Sequence, residues 1–234
     1  MNPGKLIFSC EHGGFSIPPA YQYLFNNKRN ILKSHRGWDA GALGLARLLS
    51  SSLKVPLVFS DISRLLIDLN RSIHHRNLFS EFTRPLDEQT KNTLIREHYL
   101  PYRQDLERWI RNQIKYGVCM LHFSVHSFAP AIKRKTRKTD IGLLYDPARK
   151  NEQELCIRLQ KLFNDQLPGL MVRRNYPYRG VTDGFTTYLR TRFSENDYCG
   201  IEIEVNQKLV KNKKWRNTRQ NILASFKELN NSCL

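Results

Sequence analysis

The sequence predicts a three-layer α/β/α protein in which a mixed, mostly parallel sheet has helices on both faces. Short runs of β-branched and apolar residues recur along the chain and each ends at a polar cluster, which is typical of strands. Segments with helical periodicity lie between several of these runs, and alternating strands and helices are typical of a parallel sheet covered on both sides. A chain of 234 residues can bury one large core, so we expect a single domain over residues 1–234.

The individual elements follow from local patterns. The predicted strands, in chain order, cover residues 5–10, 55–60, 64–68, 118–123, 141–145 and 201–205. The clearest helix covers residues 95–114, because its apolar residues recur at steps of three to five and form one stripe. Pro101 is expected to kink this helix. Further helices are predicted from about Trp38 onward and at residues 151–163 and 215–229.

Charge is the unusual feature of the composition, with 38 Lys and Arg residues against 21 Asp and Glu residues and a net charge of +17. Such an excess attracts nucleic acids, anionic membranes or acidic substrates. Much of it lies in runs at residues 133–138 and 208–219, which we interpret mainly as solvated surface. The chain carries no signature of a dedicated RNA- or DNA-binding module, so we expect no specific nucleic-acid partner.

The compartment is predicted from features that the sequence lacks. The N-terminus has only a short apolar run before a polar turn, unlike a signal peptide, and no apolar run is long enough to span a membrane. The five cysteines are odd in number and form no CxxC pair, which argues against a disulfide framework or a cysteine zinc site. We therefore expect a cytoplasmic protein that binds no membrane.

Reactive groups are expected where the predicted strands end, because the chemistry of such sheets collects at the carboxyl ends of the strands. Polar clusters follow apolar runs at residues 9–14, 68–71, 122–127, 140–146 and 201–206. Each cluster brings a metal ligand, a base or a guanidinium to this edge of the sheet.

A metal site is predicted from the first and third clusters. Glu11 and His12 follow a buried strand, and imidazole with carboxylate is the usual ligand set of catalytic zinc. The two glycines after His12 let the backbone come close to a ligand. His122 and His126 share one face of the third cluster. His126 is the favoured ligand because it lies at the strand end, whereas His122 is expected to be buried and hydrogen-bonded.

The second and fifth clusters supply polar groups for a substrate. Asn70 and Arg71 are expected to face the cleft, where a guanidinium holds a carboxylate through paired hydrogen bonds, and Arg64 supports or shares this role. Glu202 and Glu204 lie on one face of the last strand, and a glutamate near zinc can pass a proton from water to a leaving amine. One alternative is that Asp68 and Arg71 form a structural ion pair at a turn. The other is that Glu202 and Glu204 lie on a solvent-facing edge strand.

Seven separated segments resemble the N-formylglutamate amidohydrolase family in order and spacing. They are SCEHGG followed by IPP, HRGWDAGA, SRLLIDLNRS, HFSVHSF, DIGLLYDP, NYPYRGVTDG and IEIEVNQ, and they span residues 8 to about 209. This family is similar to the zinc carboxypeptidase and aspartoacylase superfamily. The resemblance implies a phosphorylase/hydrolase-like fold and one Zn²⁺ ion per chain, held by two histidines and a carboxylate, with a glutamate as base.

The resemblance also implies roles for individual residues. His12 and His126 are the expected zinc ligands. Phe15 stands where the superfamily has its carboxylate ligand, so either Glu11 or Asp39 completes the site.

The same resemblance assigns the residues around the substrate. Glu204 is the first candidate for the base and Glu202 the second. The Asn70-Arg71 pair is similar to the Asn-Arg pair that holds the substrate carboxylate in the superfamily. Further substrate contacts are expected from the pocket wall at Tyr178, Arg179 and Asp183.

The expected activity is zinc-dependent hydrolysis of the amide bond in an N-acyl amino acid such as N-formylglutamate, a small acidic substrate. A zinc-activated water attacks the amide carbonyl, Glu204 acts as base and then as acid, and Arg71 anchors a carboxylate. Two other functions stay open. One is a zinc peptidase or cell-wall amide hydrolase of the same superfamily, and the other is a non-catalytic basic protein that binds nucleic acid.

Overall fold

The computed structural model describes residues 4–132 and 135–231 of the chain. The strands of this part are β1 Gly4–Cys10, β2 Leu57–Phe59, β3 Cys119–Phe128, β4 Ala131–Ile132, β5 Lys135–Thr136, β6 Ile141–Leu144, β7 Val172–Arg174 and β8 Tyr198–Asn206. The helices are α1 Arg29–Leu32, α2 Ala42–Leu53, α3 Glu88–Leu94, α4 Leu100–Ile114, α5 Lys150–Gln166, α6 Phe185–Arg192, α7 Gln207–Val210 and α8 Trp215–Asn231. A 3-10 helix covers Pro19–Phe25 and a π-helix covers Ile95–Tyr99. Within these residues, no helix is both long and apolar enough to cross a membrane.

Six of the described strands form one mixed sheet in the order β2-β1-β3-β8-β6-β7. β6 is antiparallel to β8, whereas the other neighbouring strands are parallel. β4 and β5 form a separate hairpin. Buried apolar side chains cover both faces of the sheet, packed against α2, α5 and α8 on one side and against α4 and α6 on the other. The predicted α/β/α arrangement is therefore confirmed.

One face of the central strands changes from apolar to polar along its length. Ile7, Met120 and Tyr198, near the starts of β1, β3 and β8, lie in the apolar cluster beside α4 and α6. Strand residues two apart share a face, so every second residue after these three lies on the same face. These later positions are buried and polar, and they include Ser9, Glu11, His122, Ser124, His126, Glu202 and Glu204. The polar half lies at the carboxyl ends of the parallel strands, where ligands bind in such sheets.

Residues 64–68 form a turn and not a strand, contrary to the prediction. The N–H of Leu66 donates to the carbonyl of Ser63 at 2.9 Å. Leu65, Leu66 and Ile67 are nevertheless buried in the core. The apolar run thus reflects the burial of a loop, which a short sequence pattern cannot separate from a strand. One edge of the sheet is formed by β7, which the sequence did not predict because two of its three residues are exposed arginines.

One helix prediction also needs correction. α2 begins at Ala42 and not near Trp38, because Gly41 has the left-handed φ of 82° and stands outside the helix as its N-cap. Pro101 lies in the first turn of α4. A π-helix at Ile95–Tyr99 directly precedes α4, and it accommodates a residue that lacks an N–H and crowds the preceding turn.

The cysteines of the described residues are free and buried, and they are Cys10, Cys119, Cys156 and Cys199. Cys233 lies outside the described part of the chain, as do residues 133 and 134 of the first basic run.

Candidate metal centre and active site

Three buried side chains, His12, Asp39 and His126, converge at the polar end of the sheet, and their ligand atoms all lie within 4.8 Å of one another. Asp39 Oδ2 is 2.8 Å from His126 Nδ1 and 3.4 Å from His12 Nδ1. Asp39 reaches this place because its N–H donates to the carbonyl of His12 at 2.9 Å, which ties the loop before α2 to the end of β1. Two imidazoles and a carboxylate are a donor set typical of catalytic zinc.

His12 is oriented by a second carboxylate on its far side. Its Nε2 lies 2.7 Å from Asp68 Oδ1, so Nδ1 is the nitrogen that faces Asp39. Arg64 holds both carboxylates, at 2.9 Å from Asp68 and 3.4 Å from Asp39. Burial alone would raise the pKa of Asp39, but the two histidines and Arg64 outweigh it and lower this pKa. His12 Nδ1 is buried without a hydrogen-bond partner, so it can bind a cation beside an ionised carboxylate.

Glu11 lies behind His126 and not between the two histidines. Its Oε2 is 3.1 Å from His126 Nε2, whereas Asp39 contacts Nδ1 of the same ring. Three hydroxyl groups donate hydrogen bonds to the two oxygens of Glu11, at 2.7, 2.8 and 2.5 Å, from Ser9, Tyr102 and Ser124. Burial lowers the pKa of His126, but its hydrogen bonds with Asp39 and Glu11 outweigh burial and raise it. Glu11 therefore orients His126, and Asp39 completes the group of three.

His122 is buried and fully hydrogen-bonded, as expected from the sequence. Its Nδ1 lies 2.7 Å from the hydroxyl of Tyr198, and its Nε2 lies 2.8 Å from the hydroxyl of Ser9. Ser9 in turn donates to Glu11, so it accepts from the Nε2–H of His122. Burial lowers the pKa of His122 to about 4, which keeps this ring neutral near pH 7. Both ring nitrogens are hydrogen-bonded, so His122 has a supporting role through its contacts with Tyr198 and Ser9.

Glu204 and Glu202 reach the same cavity from β8. Glu204 stands beside His126 in the register of β3 and β8. It is buried, and its Oε2 has no hydrogen-bond partner. Burial raises the pKa of Glu204 to about 8, against the opposing effect of His126. Glu202, in contrast, accepts a hydrogen bond from the hydroxyl of Thr186. Glu204 therefore has the free oxygen that a proton-transferring group needs.

The loop that carries Asn70 and Arg71 is held from behind by Arg103. This buried guanidinium packs over the ring of Phe185 at 4.1 Å and donates to the carbonyls of Leu69 and Arg71 at 3.1 and 3.3 Å. Asn70 Oδ1 accepts the N–H of Phe185 at 2.6 Å, which fixes the carboxamide at the start of α6. The contacts give the loop a defined position beside the metal centre.

The guanidinium of Arg71 keeps donors for a further partner. Its Nη1 donates to the carbonyl of Asp183 at 2.8 Å, and the carboxylates of Asp68 and Asp183 are each 3.9 Å away. The side chain is 31% exposed and lines the cavity. A guanidinium has five N–H donors in a planar fork, so Arg71 can hold a carboxylate that enters the cavity.

A cavity of about 170 Å³, here called the first cavity, adjoins the metal centre. Five of the expected substrate contacts line it, namely Arg64, Asn70, Arg71, Tyr178 and Asp183. Arg179 is exposed and does not line the cavity, so the structure does not bring this residue to the site. Arg64 forms ion pairs with the two carboxylates beside the histidines, which leaves fewer of its N–H donors for a substrate.

Gly13 and Gly14 pack closely against the loop after β2. A β carbon on Gly13 would lie 2.7 Å from the carbonyl oxygen of Ser60, and one on Gly14 would lie 2.4 Å from that of Asp61. The glycines therefore allow the end of β1 to pack closely on the loop after β2.

The sequence did not predict the residues that hold other side chains of the candidate site in position. Asp68 was considered only as an ion-pair partner of Arg71, and its contact with His12 joins positions 56 residues apart. Tyr102 and Arg103 sit in α4, where the helical stripe predicted core packing and gave no sign of contacts with Glu11 or the Asn70 loop. The one available signal was the place of Arg103 on the apolar stripe between Tyr99 and Leu106, since an arginine is rarely buried without polar partners.

Residues 4–211 match the model of the N-formylglutamate amidohydrolase family. The chain belongs to this family. Family membership makes it an amide-hydrolysing enzyme, and it confirms the resemblance seen in the seven sequence segments. No match is found among curated proteins.

Solved structures with the same fold cover nearly the whole of this chain. A gene product from Agrobacterium tumefaciens is similar at 27% identity and a TM-score of 0.81, covering 99% of this chain and 91% of that chain. N-formylglutamate amidohydrolase from Ralstonia eutropha JMP134 is similar at 14% identity and a TM-score of 0.73, covering 100% and 95%. At the lower identity the likeness establishes the fold alone.

Proposed function

We propose that this amidohydrolase removes the acyl group of an N-acyl amino acid such as N-formylglutamate in a zinc-dependent reaction. The observation that carries the proposal is the convergence of His12, Asp39 and His126, whose ligand atoms lie within 4.8 Å of one another. Glu204, with its free Oε2, and Arg71 line the same cavity. A cation site, a base and a carboxylate-binding group are the parts that such a hydrolase needs.

The donor set fits zinc. His12 Nδ1 is a buried nitrogen without a hydrogen-bond partner, and Asp39 carries a carboxylate whose pKa is lowered by its neighbours. Asp68 and Glu11 hold the remote nitrogens of the two histidines, the usual arrangement behind zinc ligands. Zinc bound by three protein ligands has an open position, where it lowers the pKa of water and polarises the amide carbonyl.

Glu204 moves the proton in the proposed reaction. A cation held by His12, Asp39 and His126 would lower the pKa of the neighbouring Glu204 carboxyl and ionise it. Its Oε2 then takes a proton from the water that attacks the carbonyl carbon, and gives this proton to the leaving nitrogen as the C–N bond breaks. The products are a carboxylic acid and a free amino acid. Glu202 is fixed by Thr186 and is proposed to position Glu204 and the substrate.

Arg71 is proposed to bind the α-carboxylate of the substrate. Its guanidinium lines the first cavity and is not directly hydrogen-bonded to an acidic side chain, since the two nearest carboxylates are 3.9 Å away. Asn70 and Asp183 hold the surrounding loops in place, and Tyr178 contributes an exposed ring to the wall. We also propose a reducing cytoplasm as the location, which the free, buried cysteines support.

The proposal is tested with chelator-treated protein and a panel of N-formyl, N-acetyl and γ-glutamyl amides. We expect amine release from an N-acyl amino acid after about one equivalent of zinc is restored, as a single-site catalyst requires. The same protein without zinc should be inactive. Activity that survives complete metal removal would exclude the zinc mechanism. Release only from γ-glutamyl or peptide amides would assign the site to a different substrate class.

A further inference from the structure

A second cavity, of about 380 Å³, lies next to the first one. Its lining residues are Ile132, Lys135, Thr136, Arg137, Tyr176 and Pro177. Ile132 also lines the first cavity, so the two cavities meet at this residue. A substrate whose amide lies at the metal centre can therefore extend past Ile132 into the second cavity.

Arg137 stands between the two cavities in a fixed position. Its guanidinium packs over the rings of Tyr178 at 4.9 Å and Phe128 at 5.4 Å. Its Nη1 donates to the hydroxyl of Tyr178 at 3.1 Å and to the carbonyl of Ala129 at 3.5 Å. Tyr178, Phe128 and Ala129 all line the first cavity. The side chain is therefore held by the wall of the cavity, and its remaining N–H groups are available to a ligand.

The two cavities differ in charge. Four carboxylates line the first one, those of Asp39, Asp183, Glu202 and Glu204. The lining of the second cavity contains Lys135 and Arg137 and no acidic residue. Across residues 4–132 and 135–231, no carboxylate forms an ion pair with Arg137. A guanidinium without an acidic partner in a recess is suited to an anionic ligand.

We propose, on the basis of the proposed function, that the second cavity is a subsite for a second carboxylate of the substrate and that Arg137 binds it. Arg71 then holds the α-carboxylate on one side of the scissile amide, and Arg137 holds the second carboxylate beyond Ile132. The second carboxylate belongs either to the side chain of the amino acid or to the acyl group. Both sources present the same group to Arg137, and the substrates below distinguish them.

The test compares two pairs of substrates that differ only in one carboxylate. N-formylglutamate is paired with N-formylglutamine, and N-succinylnorvaline is paired with its succinamoyl counterpart. We expect the zinc-loaded enzyme to favour the carboxylate in one pair, which identifies its source. In that pair, Arg137→Gln should lower kcat/KM for the carboxylate substrate by about ten- to hundredfold and leave the carboxamide substrate unchanged.

Two variants serve as controls. Lys138→Gln removes the same charge from an exposed neighbour that lines neither cavity, and it should leave both ratios unchanged. Arg71→Gln should impair all four substrates, because each carries an α-carboxylate. Equal effects of Arg137→Gln on both members of each pair, or no effect on any, would overturn the subsite.

A binding measurement separates this inference from the proposed function. If the wild type hydrolyses none of the four substrates, the proposed function fails and the subsite is decided by calorimetry with glutarate, which has two carboxylates and no amide. Weaker binding of glutarate to Arg137→Gln than to Lys138→Gln supports the subsite. Equal binding to the two variants overturns it.

Discussion

Replacing Asp39 with Asn is the most direct test of the proposed metal ligands. The exchange keeps the shape of the side chain and removes the negative charge between the two histidines. Asp39 Oδ2 lies 2.8 Å from His126 Nδ1 and 3.4 Å from His12 Nδ1, so a cation bound to both nitrogens also meets this oxygen. We therefore expect Asp39→Asn to weaken zinc binding more than the exchange of any neighbouring carboxylate.

The size of the loss follows from the energy of zinc binding. Zinc binding to a complete protein site is worth about 10 to 16 kcal/mol at neutral pH. Shared among three protein ligands, this is roughly 3 to 5 kcal/mol for Asp39. The corresponding increase in Kd is about two to nearly four orders of magnitude. In the variant, the guanidinium of Arg64 loses its ion pair with residue 39 but keeps the one with Asp68 at 2.9 Å.

Glu11→Gln is the matched control, because Glu11 is also a buried carboxylate that contacts His126. Its oxygen lies 3.1 Å from Nε2, the nitrogen that points away from Asp39. Loss of a partner behind a metal-binding histidine typically reduces metal affinity by about 10- to 100-fold. The expected order of zinc affinity is therefore wild type, then Glu11→Gln, then Asp39→Asn.

Zinc affinity is measured by competition with a chromophoric chelator near neutral pH, and circular dichroism checks that each variant is folded. A larger loss in Glu11→Gln than in Asp39→Asn would show that Glu11 is the ligand. Wild-type affinity in both variants would refute the site itself, because neither carboxylate would then contribute to it.

Four further results are expected. Arg71→Lys keeps the charge but loses the planar fork, so kcat/KM for an N-acyl amino acid should fall roughly thirty- to thousandfold. Equal losses on a substrate without the carboxylate would contradict this role. Metal analysis should find zinc lost from His126→Ala but retained by His122→Ala, which instead unfolds at lower urea. Glu204→Gln should keep its zinc and lose about 100- to 10,000-fold in kcat, and a larger loss in Glu202→Gln would make that residue the base. Burial lowers the pKa of His122 from 6.5 to about 4, so the unfolded chain takes up this proton first as the pH falls. Urea titrations should show up to about 3 kcal/mol of stability lost between these pH values, and His122→Asn should remove this part of the slope.

The convergence of the candidate site residues at one edge was predictable because it depends on a general property of parallel sheets. His12, His126 and Glu204 each stand where a strand carries polar residues toward its carboxyl end, and neighbouring parallel strands bring such residues to one edge. Local patterns were sufficient to predict this convergence, since it requires only the direction of each strand and the positions of its polar residues.

The choice between Glu11 and Asp39 was not predictable, because it depends on contacts between distant parts of the chain. The position of Asp39 depends on a backbone hydrogen bond that its N–H donates to the carbonyl of His12. Glu11, although it is adjacent to His12 in sequence, turns toward hydroxyls from β1, β3 and α4. Adjacency to His12 in the sequence therefore does not bring the Glu11 carboxylate into the group formed by His12, Asp39 and His126.

The end of β3 was misjudged for a related reason. His122, Ser124 and His126 interrupt the apolar pattern, so the predicted strand ended at residue 123, whereas β3 continues to Phe128. Polar side chains can occupy a fully buried strand when each has a partner. Those partners, such as Tyr198 for His122, lie on other strands and are invisible to a local pattern.

The polar half of the sheet is organised so that nearly all of its buried groups satisfy one another. His122 connects Tyr198 to Ser9, and Ser9 connects to Glu11. Among the described residues that line the first cavity, the buried side-chain atoms without a hydrogen-bond partner are His12 Nδ1 and Glu204 Oε2. An unsatisfied buried polar atom costs about 1 to 3 kcal/mol. In this cavity the cost falls on the two atoms that are proposed to bind a metal and to carry a proton. Binding of a cation and of water would satisfy both atoms and recover this free energy.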